Sequence, residues 1–125
     1  MKKPPAKNVL GQPLQPCSID PMTGWFRDGC CNTDENDRGS HTVCAEMSAK
    51  FLEFSKARGN DLSTPRPEHG FPGLKPGDQW CLCASRWGEA RDADCAPKLV
   101  LASTHMAALR YASIEQLMEH ALDMN

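Results

Sequence analysis

Two cysteines one residue apart, Cys81 and Cys83, offer the plainest chemistry in this sequence. In an extended segment they project from one face with Cβ atoms roughly 6.5 to 7 Å apart, twice the rise of a strand. That is too wide for a relaxed disulfide between them. Two sulfurs leaning together can instead supply half of a tetrahedral site for Zn²⁺ or another thiophilic metal. Cys30 is the third proposed ligand, and Cys31, Cys17 or His41 can complete the four. Thiol-redox chemistry at the same residues is a second reading. Packing is a third, because the pair lies in the apolar run Gln79-Trp80-Cys81-Leu82-Cys83-Ala84, where a reduced Cys behaves as a small core residue. The vicinal pair Cys30-Cys31 follows Asp28-Gly29, and adjacent side chains in extended chain point to opposite sides, so one of the two thiols can be exposed.

Cys44 and His41 form the candidate catalytic pair. If Thr42 caps a helix, Cys44 falls in its first turn, where the positive end of the dipole lowers a thiol pKa and an imidazole neighbour makes it a nucleophile. Cys44 also falls on an apolar stripe with Met47, Phe51 and Phe54, and burial there raises the thiol pKa instead. A separate ligand-binding set is Asp61, Arg66, Arg86 and Trp87. Asp61 and Arg66 belong to a polar, proline-rich loop, Arg86 and Trp87 follow the Cys81-Cys83 strand, and an Arg can grip an anion bidentately. The alternative is that Asp61 and Arg66 satisfy the loop's own backbone and each other. No phosphate-loop, dinucleotide, zinc-protease or serine-hydrolase motif occurs, which lowers those classes.

These side chains need elements to carry them. Residues 8–39 are dense in Gly, Pro, Asp and Asn, with short extended candidates at Val9-Leu10 and at Gly24-Trp25-Phe26-Arg27. The acidic run Asn32-Thr33-Asp34-Glu35-Asn36-Asp37 is predicted as an exposed loop. A helix is predicted from the Thr42 cap to a stop at Gly59, with the 3-4-3 stripe facing the core. Residues 60–79 carry four prolines and three glycines, so an ordered surface loop is predicted there, nailed down by Phe71 and Leu74 and ending in a type II turn at Lys75-Pro76-Gly77-Asp78. A strand follows at 79–84, with Trp80 and Leu82 on one face and the cysteines on the other. Next come a short helix near 86–93 capped by Ser85, a buried strand at 98–102 and a helical turn from Thr104 through Leu109. The strand-helix-strand unit defaults to a parallel pair. Ser113 and Gln116 spell a capping box before the stripe Ile114, Leu117, Met118, Ala121, Leu122. His120 falls opposite that stripe, toward solvent.

The chain has 125 residues, a formal charge of −2, 40% hydrophobic and 24% charged residues. That is one domain of ordinary globular composition: a tail over residues 1–7 and a single domain over 8–125. The fold class predicted is α+β, a small two-layer sandwich with a short mixed sheet, helices packed on one face and the long ordered Pro/Gly-rich loop. A pI near 6.0 gives no basic field for nucleic acid or an anionic membrane, and the longest aliphatic stretch, Leu99-Val100-Leu101-Ala102, is far too short to span one. The positive start runs into Asn8-Val9-Leu10-Gly11-Gln12 with no apolar segment behind it, so a cytoplasmic protein is predicted. Seven cysteines, an odd number, in a reducing compartment make structural disulfides the weaker expectation.

Three stretches carry a resemblance: Asn8-Val9-Leu10-Gly11 continuing to Pro16-Cys17-Ser18 and Thr23-Gly24-Trp25-Phe26-Arg27-Asp28-Gly29-Cys30-Cys31; Gly39-Ser40-His41-Thr42-Val43-Cys44; and Gly59-Asn60-Asp61-Leu62-Ser63-Thr64-Pro65-Arg66-Pro67 running through Phe71-Pro72-Gly73-Leu74-Lys75-Pro76-Gly77-Asp78 to Trp87. The sequence resembles the mostly bacterial family of domain of unknown function 2237 (DUF2237) over nearly everything after the tail. The resemblance implies a small two-layer α+β domain and names no cofactor, substrate or activity. It extends to Cys17, Cys30, Cys44, Cys81 and Cys83, whereas Cys95 departs from the family pattern. The functional expectation is a cytoplasmic cysteine-rich metal-binding or thiol-redox module. The alternative is an anion or small-molecule binding domain, with or without catalysis, using the 60–79 loop with Arg86 and Trp87. A third is a partner-binding surface built on Trp25 and the prolines.

Overall fold

The computed structural model describes residues 6–123. Its centre is a strand, β1 (His41–Glu46), hydrogen-bonded on both sides: β2 (Gln79–Cys83) lies along one edge and β3 (Lys98–Leu99) along the other. Both pairings are antiparallel, with Val43 opposite Leu82, Cys44 opposite Cys81 and Ala45 opposite both Trp80 and Leu99. The fold is thus the small α+β domain expected, but its sheet is antiparallel in every strand pair rather than mixed. Among the described residues, parallel pairing survives only as an isolated bridge between Leu99 and Ala121.

The predicted helix from Thr42 to Gly59 is corrected in its first third. Residues 41–46 form β1, and the helix α1 spans Ala49–Ala57 behind a Ser48 cap whose Oγ accepts from Phe51 N at 3.1 Å. The apolar stripe fits either element. What decides is that Thr42 and Val43 are β-branched and the backbone of 41–46 finds partners on two sides, which outweighs local propensity. The predicted stop holds: Gly59 takes φ 89° just past the last helical turn and returns its N–H to Lys56 O.

The type II turn is present, with Gly77 at φ 96° and Asp78 N donating to Lys75 O at 3.0 Å. After β2, helix α2 (Ala84–Asp92) starts at Cys83 rather than Ser85, with no side-chain cap. β2 and β3 both run antiparallel to β1 and so point the same way, but β1 lies between them, and the expected parallel pair does not form. The buried strand expected over 98–102 is two residues long and passes into a 3₁₀ turn, Leu101–Ser103, and a second one at Met106–Arg110. The Ser113 capping box is complete on both sides, yet α3 spans only Ile114–Met118. Leu117 is buried while Met118 and Leu122 stay exposed, because the chain after α3 turns to cover the outer edge of β3, with Leu122 N bonded to Leu99 O. His120, expected in solvent, is half-buried with its ring edge-on to Trp87 at 5.3 Å.

Alternation along the strands separates two cores. Val43, Ala45, Trp80 and Leu82 join Phe51, Leu52, Trp87, Leu99 and Leu117 on the face that α1 and α2 cover. Cys44 and Cys81 project from the opposite face into a second cluster with Cys17 and Cys31. That face is roofed by residues 8–40, which contain neither of the expected short strands. The layer is tied down by side chains instead. Asn8, wholly buried, accepts from Leu10 N and Gln12 N and donates to Ala102 O. Ser103 Oγ donates to Pro16 O, and Thr23 Oγ1 accepts from Cys81 N on the open edge of β2. Residues 1–5 of the predicted tail lie outside the described residues, while Lys7 already pairs with Pro13. Among the described residues no helix is long and apolar enough to cross a membrane.

Candidate functional site

The cysteines sort into two groups. Cys17 is bonded to Cys44 (S–S 2.08 Å) and Cys31 to Cys81 (S–S 2.10 Å), so each bridge joins the N-terminal layer to one strand. The expectation against disulfides is corrected. The sheet sets Cys44 and Cys81 side by side, and the layer folded over them delivers one further sulfur to each. The two bridges are neighbours: the sulfurs of Cys17, Cys31 and Cys81 all lie within 4.8 Å of one another. All four cysteines are buried, and Gln79 Oε1 approaches Cys44 Sγ at 3.8 Å.

Cys30, Cys83 and Cys95 are half-buried and outside these bridges. Of the expected ligands Cys30, Cys81 and Cys83, only Cys81 enters the cluster. Cys83 closes β2 with its Sγ 3.2 Å from Ser85 Oγ, and Cys95 Sγ lies 3.4 Å from Ala93 O. Cys44, expected as a nucleophile at a helix start, sits mid-strand with its sulfur in a bridge.

His41, its expected partner, belongs to a different constellation. Its Nδ1 meets Asp37 Oδ1 at 2.6 Å, its backbone N donates to Asp37 Oδ2 at 2.9 Å, and Thr33 Oγ1 donates to that same oxygen at 2.9 Å. The Asp37 side chain is fully buried, although the acidic run was expected in solvent; the His41 side chain is 40% exposed. Trp25 lies parallel to the His41 ring within 9°, centroids 6.3 Å apart. With Nδ1 turned to a carboxylate, Nε2 is the ring nitrogen left to act on anything outside, the arrangement by which a buried acid fixes the tautomer of a working histidine. Gly39 makes room for it, since a Cβ there would stand 2.8 Å from His41 Cε1.

The ring borders a cavity of about 380 Å³ along the outer edge of β2, lined by Thr23, Gly24, Trp25, Arg27, His41, Leu62, Trp80 and Cys81. Arg27 stands over the Trp80 ring at 5.6 Å and also borders two adjoining hollows reached by Arg66, His69 and Phe71. Arg27 and Ser40 both hold positive φ, 56° and 49°, which non-glycine residues adopt at a cost and which cluster at working sites.

The predicted ligand set is dispersed. Arg66 borders this groove. Asp61 caps its own loop, accepting from Ser63 N, Thr64 N and Thr64 Oγ1, and these bonds hold its carboxyl below the usual range. Arg86 donates to Arg58 O at 3.0 Å and pairs with Glu89, and Trp87 is a core residue whose Nε1 donates to Pro97 O at 3.2 Å.

Over residues 7–121 the sequence matches the family described as uncharacterized protein conserved in bacteria (DUF2237). The chain belongs to the DUF2237 family. No curated protein matches it. The matched span of this DUF2237 chain holds both bridges, the Asp37–His41 pair and the whole groove. Asp37, Arg27 and Trp80 were missed as site residues. The one signal for Asp37 was its spacing of four from His41, hidden in a run of acidic residues.

Proposed function

We propose that the protein is a cysteine-centred redox module in which Cys17, Cys31, Cys44 and Cys81 alternate between two disulfides and a tetrathiolate that holds a thiophilic metal such as Zn²⁺. One observation carries this reading: four cysteines from four separate segments converge in one buried cluster, three of their sulfurs within 4.8 Å of one another. Four sulfurs around Zn²⁺ stand about 3.8 Å apart at Zn–S near 2.3 Å, so Cys17, Cys31 and Cys81 lie a small movement from a metal-bound arrangement, which Cys44, bonded to Cys17, has to join. Each bridge takes up two electrons and two protons from a dithiol reductant. A cation then displaces the four protons. Gln79 Oε1 is placed to accept from the reduced Cys44 thiol. In the cytoplasm, where thiols are kept reduced, the metal form is the resting one and the bridges are the response to oxidation. Burial suits a closed centre, as structural tetrathiolate sites are.

The test begins with a thiol titration in denaturant. Air-purified protein should show three reactive thiols of seven cysteines, and reduction should expose all seven. Reduced protein titrated anaerobically with Co²⁺ should take up one ion per chain with thiolate-to-cobalt absorption. The oxidised protein should take up none, Cys44→Ser should lose the signal and Cys95→Ser should keep it. Absence of Co²⁺ uptake by reduced protein, or uptake indifferent to Cys44→Ser, overturns the reading.

A further inference from the structure

We infer that the groove along the outer edge of β2 is a binding site for a small organic anion bearing a planar ring, with Arg27 and His41 as its anchors. The argument for this site does not use the redox chemistry assigned to the cysteines, although Cys81 also lines the cavity. Its charge is the first argument. The chain is net negative, 14 basic against 16 acidic residues, yet the described residues lining the cavity and its two adjoining hollows include Arg27, Arg66, His41 and His69 and no Asp or Glu. Asp37 is buried behind His41 and committed to it, and Asp28, beside Gly24, accepts from Cys30 N. A cationic lining attracts anions.

Preorganisation is the second argument. Arg27 lies over the Trp80 face with Nη1 donating to Met22 O at 3.5 Å, an arrangement that holds the guanidinium and leaves its remaining in-plane N–H groups for a carboxylate or phosphate. His41 is fixed at three points, by Asp37, by Trp25 and by the close approach of Gly39, so Nε2 can meet a ligand without ordering a free side chain. Of the three non-glycine residues at positive φ, Arg27 lines this wall and Ser40 adjoins it, while Asp94 lies apart, just past α2.

Size and shape are the third. A cavity of about 380 Å³ lies at the small end of the range for ligand pockets. Trp25, 41% exposed, lines the cavity with an indole that a flat ring can pack against.

Phenyl phosphate, inorganic phosphate and benzylamine separate these contributions, read by tryptophan emission. Trp25 and Trp80 border the groove, while Trp87 is buried elsewhere. Phenyl phosphate should give saturable quenching, inorganic phosphate should bind more weakly, and benzylamine, the cationic counterpart, should not bind. Arg27→Gln should weaken phenyl phosphate about tenfold or more, Arg27→Lys should recover part of the loss, and Arg86→Gln, remote from the groove, should bind as the parent does. Should Arg27→Gln fail to fold by its melting curve, Trp25→Leu takes its place with the same expected loss. Equal binding of benzylamine, binding indifferent to Arg27 and Trp25, or no saturable response to phenyl phosphate overturns the proposal. None of these outcomes depends on Co²⁺ uptake, so this site and the cysteine centre fail separately.

Discussion

Cys44 and Cys81 stand directly opposite each other in neighbouring strands and are not bonded to one another; each reaches off the sheet to a cysteine of the N-terminal layer. The bridges therefore do not reinforce the sheet, whose hydrogen bonds already align those residues. They hold the roof, residues 8–40, onto a face that hydrogen bonds and few apolar side chains would otherwise have to keep covered.

Loss of the bridges should cost more for the longer enclosed segment, but only as the logarithm of its length. With partners 50 residues apart, removal of Cys31–Cys81 by paired Ser substitution should cost about 4 kcal/mol, and Cys17–Cys44, at 27, somewhat less. Urea midpoints of oxidised protein check both values. A reduced, metal-free sample should fall by more than either single loss.

Asp37→Asn should destabilise the domain by about 1–3 kcal/mol, because a buried acceptor serving His41 Nδ1, His41 N and Thr33 Oγ1 is weakened. Its specific signature is the His41 ring. In the neutral parent protein the Nδ1–H form should dominate ¹⁵N spectra, and in the variant the two tautomers should approach balance.

Stability should decline as pH falls below neutrality through His105. Burial, with Arg110 nearby, lowers its pKa from 6.5, and its Nδ1 accepts from Ala107 N at 2.9 Å, which a protonated ring cannot do. The unfolded chain binds the proton more readily, so this contribution is full above pH 6.5 and is lost as pH falls through the lowered folded value. His105→Asn keeps an acceptor without titrating and should flatten that part of the curve in urea melts taken from pH 8 to 5.

Gly24→Ala should injure the groove wall selectively. Gly24 holds φ 104°, and a Cβ there would overlap the Cys30 carbonyl oxygen, so the turn carrying Trp25 and Arg27 must shift. A cost of about 1–3 kcal/mol is expected, with loss of phenyl phosphate binding beyond what the melting temperature explains.

How much of this was legible follows from where the information lies. β2, its preceding turn and the Ser113 capping box announce themselves because each is written in residues next to one another: Lys75-Pro76-Gly77-Asp78, the alternation of Trp80, Cys81 and Leu82, and Ser113 with Gln116. β1 was hidden because Cys44, Met47, Phe51 and Phe54 keep helical spacing across a strand, a short link and a helix, and only pairing with residues 33 to 54 positions later distinguishes them. The bridges were illegible for the same reason, since their partners lie in layers that contact each other only after the sheet exists. Trp87 and Arg86 looked like a site because they follow a strand end, but the α2 start turns Trp87 inward to Pro97 O and Arg86 toward the carbonyl end of α1. The groove is assembled from residues 23–27, 41, 62–71 and 80, none adjacent enough to form a motif.

The order of the strands has a consequence for synthesis. The roof leaves the ribosome first, yet what it covers comes later: Thr23 waits for the amide of Cys81, Cys31 for the sulfur of Cys81, and Asn8 for the carbonyl of Ala102. A nascent chain that stops short of Cys81 therefore has residues 8–40 unseated and its early cysteines exposed. In such a chain Cys17, Cys30, Cys31 and Cys44 are the thiols that can pair wrongly. A protein built this way is best made where oxidation is held off until translation of the second strand is complete.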